Sequence, residues 1–183
     1  MKKKLLALLV ISSAVVGSSC SKIKEATNQD ITLTTAAVTL TIDQLGTANA
    51  NSAVISSKIS SADLDALIKQ KASGFGIKNV KSLKIKTLKA KIVNPLNDAS
   101  NNFNNLGAVS AKLEGNGKTF TANHAVTTGA TYELNFTVDS SVDIKDIVSA
   151  STVSYSLLAP VRTPTSKPIT IELVATYDAV VGL

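Results

Sequence analysis

Three sets of residues in this chain could carry chemistry. Cys20 is the only cysteine among 183 residues, so its thiol has no internal disulfide partner and must be modified, reactive or idle. His124, in "TANHAV", is the only histidine. Nucleophile–imidazole–carboxylate catalysis needs a held imidazole beside a nucleophile, and a zinc site needs several Cys or His ligands. One His and one Cys supply neither, and a lone His at the end of a strand is expected to be a surface residue. The third set is cationic: Lys78, Lys81, Lys84, Lys86, Lys89 and Lys91 recur through "KNVKSLKIKTLKAKIVNP". Such a row could meet an anionic partner or form a solvated face, including an edge strand guarded by lysines.

Weaker groupings surround these. "NPLNDASNN" offers Asn94, Asn97, Asp98 and Asn101 as oxygen donors, but calcium usually takes more than one carboxylate, and Asn-rich runs form turns. Asp143 and Asp146 stand close together in "VDIKDIV" and are expected to shape a turn, not to act as paired acids. No Gly-rich phosphate loop is present. The expectation is a protein that is not an enzyme, with no metal and no cofactor apart from a covalent lipid.

That lipid is implied by what precedes Cys20. The chain opens with "MKKK", continues with the apolar run "LLALLVISSAVV" and passes through Gly17, Ser18 and Ser19. A basic start, an apolar stretch and a small-residue exit make a secretory signal peptide. The run is too short for a membrane span, which needs about 20 apolar residues. The small residues leading to Cys20 resemble the lipobox of bacterial lipoproteins, with Gly17 where a leucine-like residue is commoner. The resemblance implies cleavage before Cys20, diacylglycerol on its sulfur and acylation of its new amino group. It also implies a membrane anchor and, with Ser21 next, sorting to the outer membrane of a Gram-negative envelope. Residues 1–19 would be the signal peptide and 20–30 a polar tether.

Loss of 1–19 leaves 164 residues, enough for one core without staples. The formal charge falls from +6 to +3, because Lys2, Lys3 and Lys4 leave. The excess is local: residues 58–91 hold nine Lys against Asp63 and Asp65. Four Phe, three Tyr and no Trp leave little aromatic surface for stacking sugars or bases. Tyr132, Tyr155 and Tyr177 fall on inward positions, and Phe75 and Phe103 are the rings expected outside clean strands. Nucleic acid is not an expected partner.

The elements that must position these residues are mostly strands. "ITLTTAAVTLTI" (31–42) alternates with a slip of parity near Ala36 and Ala37, which predicts a bulge. A second strand is expected near 52–59. "SSADLDALIKQKASG" reads as a helix capped by Ser60 and Asp63, with Leu64, Leu67 and Ile68 on one face and Gly74 at its end. Residues 79–95 alternate Leu83, Ile85, Leu88, Ala90 and Ile92 with lysines, with one shift at Lys86–Thr87. Asn116-Gly117 predicts a hairpin with a type I′ turn. Residues 131–139 and 152–159 alternate as strands, 142–148 crosses between sheets as a turn or short helix, and 169–177 closes the fold.

About eight alternating strands with one short helix predict an all-β fold, an antiparallel β-sandwich over residues 31–183. The order of the last strands resembles an immunoglobulin-type Greek key. "IVNP" and "VSYSLL" bear a faint likeness to water-stress β-sandwich domains. The functional expectation is a lipid-anchored binding or accessory module of the cell envelope, contacting another envelope protein. The alternatives are a structural component, or a binder of anionic glycan or lipopolysaccharide through the lysines.

Overall fold

Alternation of branched apolar residues with Thr, Lys and Ser gives most of this chain one dry and one wet face per strand, and two such faces must meet. The computed structural model describes residues 28–46, 49–60, 64–126, 128–150 and 152–183. Cys20, the leader and the Ser60–Asp63 cap lie outside them or have no described side-chain contacts.

The strands are β1 (Gln29–Thr34), β2 (Val38–Ile42), β3 (Asn49–Ser60), β4 (Val80–Asn94), β5 (Val109–Gly115), β6 (Lys118–His124), β7 (Glu133–Asn135), β8 (Val153–Val161) and β9 (Ile169–Val181). Two short helices, α1 (Leu64–Lys71) and α2 (Lys145–Val148), and two 3-10 turns, Ile77–Asn79 and Phe103–Asn105, connect them. The strands form two antiparallel sheets. The first runs β1-β9-β4-β7 with β2 also beside β9, and the second runs β3-β8-β5-β6. This is the all-β sandwich that the alternation predicts. Gln29 and Asp30, expected in the tether, already pair with Val181 and Val180.

β9 buries every second residue from Ile169 to Val181, and β4 buries Val80, Leu83, Ile85, Leu88, Ala90 and Ile92. Across the core lie Val109, Ala111 and Leu113 of β5 and Val153, Tyr155, Leu157 and Ala159 of β8. Two predicted irregularities are present. The β4–β9 register shifts between Ile85 and Thr87, leaving Lys86 and Thr87 both exposed. Between Thr34↔Thr176 and Val38↔Leu173 the first chain spends four steps and β9 three, so the slip near Ala36 is a one-residue excess. Asn116 and Gly117 both have positive φ, as the type I′ turn requires.

Of the connections after β2, only β5–β6 stays within one sheet. α2 makes the crossing expected at 142–148. There a Cβ on Gly115 would collide with the Ile147 carbonyl, so the glycine admits the helix. α1 buries Leu64 and Ile68.

The largest fully buried side chain is Tyr177, whose hydroxyl has no hydrogen-bond partner among the described residues. Burial drives its pKa far above the ordinary phenol range; the Tyr155 hydroxyl adds to this without meeting hydrogen-bond geometry. The folded protein therefore keeps this proton where the unfolded chain releases it, at about pH 10. The stabilisation is complete below that pH and declines as pH rises above it. Tyr177→Phe is expected to change stability by less than about 1 kcal/mol at neutral pH, because the lost hydroxyl had no partner. It is also expected to lose less than the wild type between pH 8 and 11, as thermal unfolding at the two pH values would show.

Candidate functional site

The six lysines do not form one ladder. Lys84, Lys86, Lys89 and Lys91 share the outer face of the first sheet, while Lys78 lies in the turn Ile77–Asn79 and Lys81 in an irregular register at the start of β4. Nor is β4 an edge. It pairs with β9 from Val80 to Asn94, and segment 132–144 seals its other side. Phe136 N–H donates to Leu88 O at 2.9 Å, Ile144 N–H to Leu83 O at 2.8 Å, and Asp143 Oδ1 accepts Leu83 N–H at 3.1 Å. Lysines on an internal strand cannot serve as edge guards.

Pairing also brings acids to these lysines. Lys86 Nζ lies 3.2 Å from Asp178, and Lys89 Nζ lies 3.4 Å from Glu133. Lys84 stands opposite Asp178 in the register, and Lys91 lies between Glu172 and Glu133. The Thr32 hydroxyl, donating at 2.8 Å, and then Lys86 hold the Asp178 carboxyl below its ordinary pKa. Four cations thus face three acids on a threonine-rich sheet. Exposed pairs of this kind contribute about 0–1 kcal/mol each, but they cancel most of the field that an anion would feel. An open depression lies between Asp30, Thr32, Ser82, Lys84 and Asp178, and within it the Thr32 hydroxyl donates to Asp178.

The Asn-rich loop is a fastening point. Asn101, Asn102 and Asn105 are buried. Asn101 Oδ1 accepts the N–H groups of Ser166 at 2.8 Å and Lys167 at 2.9 Å, while its Nδ2 donates to Ser166 Oγ at 2.7 Å. Asn105 Nδ2 donates to Thr163 Oγ1 and Pro164 O, both at 3.0 Å, and its Oδ1 accepts Asn102 N–H at 2.9 Å. Asn102 caps the turn Phe103–Asn105, accepting Asn104 N–H at 2.9 Å. The segment after β2 joins the same loop through Leu45 N–H to Thr165 Oγ1 and Thr165 N–H to Leu45 O.

Two of the four calcium donors considered above, Asn101 and Asp98, are therefore engaged within the protein. The Asn101 oxygen is filled by N–H groups, Asn97 lies in a left-handed turn, and Asp98 accepts Ser100 N–H at 2.9 Å with Lys167 3.6 Å away. The Ser100 N–H and then the Asn101 side chain lower the Asp98 pKa. No group of three or more His, Cys, Asp or Glu able to hold a metal occurs among the described residues.

His124 Nδ1 is 2.8 Å from Asn135 O, and its ring meets Phe136 edge-on at 6.3 Å. It ties β6 to β7. Asp143 Oδ1 accepts both Leu83 and Lys145 N–H groups, and Asp146 pairs with Lys118; both acids shape the crossing, as their spacing predicts. Phe75 and Phe103 lie outside the strands as expected, but neither is an exposed ring: Phe103 is 2 % exposed and Phe75 is half-buried against the core. Tyr155 and Tyr177 point inward as expected, and Tyr132 is half-buried. No Phe or Tyr ring among the described residues is left as an exposed platform.

The chain matches no protein-family model, and no curated protein matches it in sequence. No helix among the described residues is long and apolar enough to cross a membrane.

Asn101→Ala strips the partner from the Ser166 and Lys167 backbone N–H groups at a part-buried junction. It is expected to cost about 1–2 kcal/mol in urea unfolding, because solvent reaches the two freed donors in part. Asn104→Ala, on the exposed side of the same turn with a single bond to Arg162, is expected to cost under about 0.5 kcal/mol.

Proposed function

We propose that this protein is an exported lipoprotein, anchored by an acylated Cys20 to the outer membrane, whose β-sandwich serves as a non-catalytic binding or accessory module of the cell envelope. One observation carries the reading: a leader, small residues and a lone cysteine precede a sandwich whose first and last strands begin and end together, Gln29 opposite Val181. The tether thus leaves from one end. The loops fastened by Asn101, Asn102 and Asn105 occupy the other, where β4 ends and β9 begins.

The fastened end is the surface we assign to a partner protein. Its loops hold exposed apolar side chains, Leu96 at 68 % and Val126 at 50 %, on a frame whose polar groups are satisfied internally. A preformed frame lowers the ordering cost of association. The sheet face of Lys84, Lys86, Lys89 and Lys91 is a weaker candidate for an anionic glycan or lipopolysaccharide, because Lys86 and Lys89 already pair with Asp178 and Glu133. That charge balance equally suits the second reading, a purely structural spacer.

A photo-crosslinking residue at Leu96 or Val126 in intact cells is expected to capture one dominant envelope protein, and one at Thr121 on β6 is not. Capture at Thr121 alone would move the contact to the second sheet. No adduct at any of the three positions would favour the structural role. Charge reversal of Lys84, Lys86, Lys89 and Lys91 together is expected to leave the Leu96 adduct unchanged.

A further inference from the structure

Three exposed lysines that no ion pair holds lie around the point where the chain runs back toward Cys20, whereas each lysine of the sheet face stands beside an acid. Asn79 O accepts Gly182 N–H at 2.9 Å, and Asn79 Nδ2 donates to Gly182 O at 3.4 Å. A Cβ on Gly182 would strike the Asn28 side chain, so Asn28, Asn79 and Gly182 are in contact. Lys78 and Lys81 flank Asn79 and Val80 in the chain, and both are exposed. Lys71, also exposed, ends α1 and leads into the turn that holds the half-buried Phe75 and Ile77.

Most acids of this end are engaged; Asp30, exposed at the start of β1, has no ion pair among the described residues. Asp65 pairs with Lys69 and accepts Ile77 N–H at 2.8 Å. Asp143 accepts two backbone N–H groups, Asp146 pairs with Lys118, and Asp139 accepts the Ser141 hydroxyl at 2.6 Å. No ion pair joins Lys71, Lys78 or Lys81 to another described residue; Lys78 meets Asp65 only through a longer-range attraction.

Cys20 stands eight positions before Asn28. A chain of that length spans at most about 28 Å when fully extended, so an acylated Cys20 keeps this end close to the bilayer. The sandwich is longer than the tether: the 13 residues of β9 extend about 43 Å at the usual rise. We infer that the tether end of the sandwich rests against an anionic phospholipid surface through Lys71, Lys78 and Lys81, so that the fastened loops project away from the membrane. The inference rests on the lipid-anchor reading above. The neutralised sheet face gives the domain little electrostatic gain in tipping onto its side, whereas each lysine at an anionic surface favours contact about fivefold.

The test uses the full lipidated protein in vesicles of phosphatidylcholine, with or without phosphatidylglycerol, carrying headgroup-quencher lipid. With Cys20 acylated, a dye can be placed on Ser73→Cys at the tether end or on Ser100→Cys at the loop end. The Ser73 label is expected to be quenched several-fold more than the Ser100 label, most strongly with phosphatidylglycerol. The combined variant Lys71→Glu, Lys78→Glu and Lys81→Glu should lose that lipid dependence with an unchanged circular dichroism spectrum. Equal quenching of the two labels overturns the proposal, as does a contrast indifferent to phosphatidylglycerol and to the variant. Protein that does not float with the vesicles at all overturns the anchor reading instead.

Discussion

The pairing of β9 along both of its edges is the constraint on which the rest of the structure depends. Its 13 residues alternate without interruption, while β1 and β2 occupy one side and β4 the other. Because side chains alternate with period two, a slip of one residue would turn a partner's apolar set outward. The fixed register sends Leu83, Ile85, Leu88, Ala90 and Ile92 into the core. The same register sets Lys84 and Lys86 by Asp178 and Lys91 by Glu172 on the outside. β1 and β2 adapt by spending one extra residue, and β4 by its shift at Lys86–Thr87.

This spine also gives the molecule two unlike ends. At one, Asn79, Gly182 and Asn28 close the strands around the start of the tether, with uncompensated lysines near them. At the other, buried Asn101 and Asn105 turn their amides onto backbone groups of loop 161–168, and buried Asn102 caps its own turn. Buried polar groups that are satisfied in this way hold loops in one arrangement, whereas the same groups left unpaired would be costly. The loop end is therefore built for fixed shape.

Much of the fold was legible because strand alternation, the Asn116-Gly117 turn and the Lys86–Thr87 shift are local signals. What was not legible is non-local. Nothing in "KIKTLKAK" reveals that Asp178 and Glu133, 92 and 44 positions away from Lys86 and Lys89, will neutralise it, or that β4 is internal. The Asn-rich loop misled for a related reason. Asn runs usually mark solvated turns, yet Phe103 in the middle of "NNFNN" must be buried, and its neighbours are carried in with it. An aromatic residue flanked by asparagines on both sides was the available signal. The lone His124 ties β6 to β7, a contact its place in the sequence did not announce, whereas Asp143 and Asp146 shape the crossing as their spacing suggested.

On the proposed reading, the address of the protein and its orientation both follow from one covalent event at Cys20. A single acyl chain holds a protein only marginally at a bilayer, whereas several hold it firmly. The most direct measurement is the intact mass of the protein extracted from native membranes. The account predicts a chain beginning at Cys20 and carrying a diacylglyceryl group and an amide-linked acyl chain. A mass showing an unmodified Cys20 thiol, or a mature chain beginning elsewhere, would contradict it.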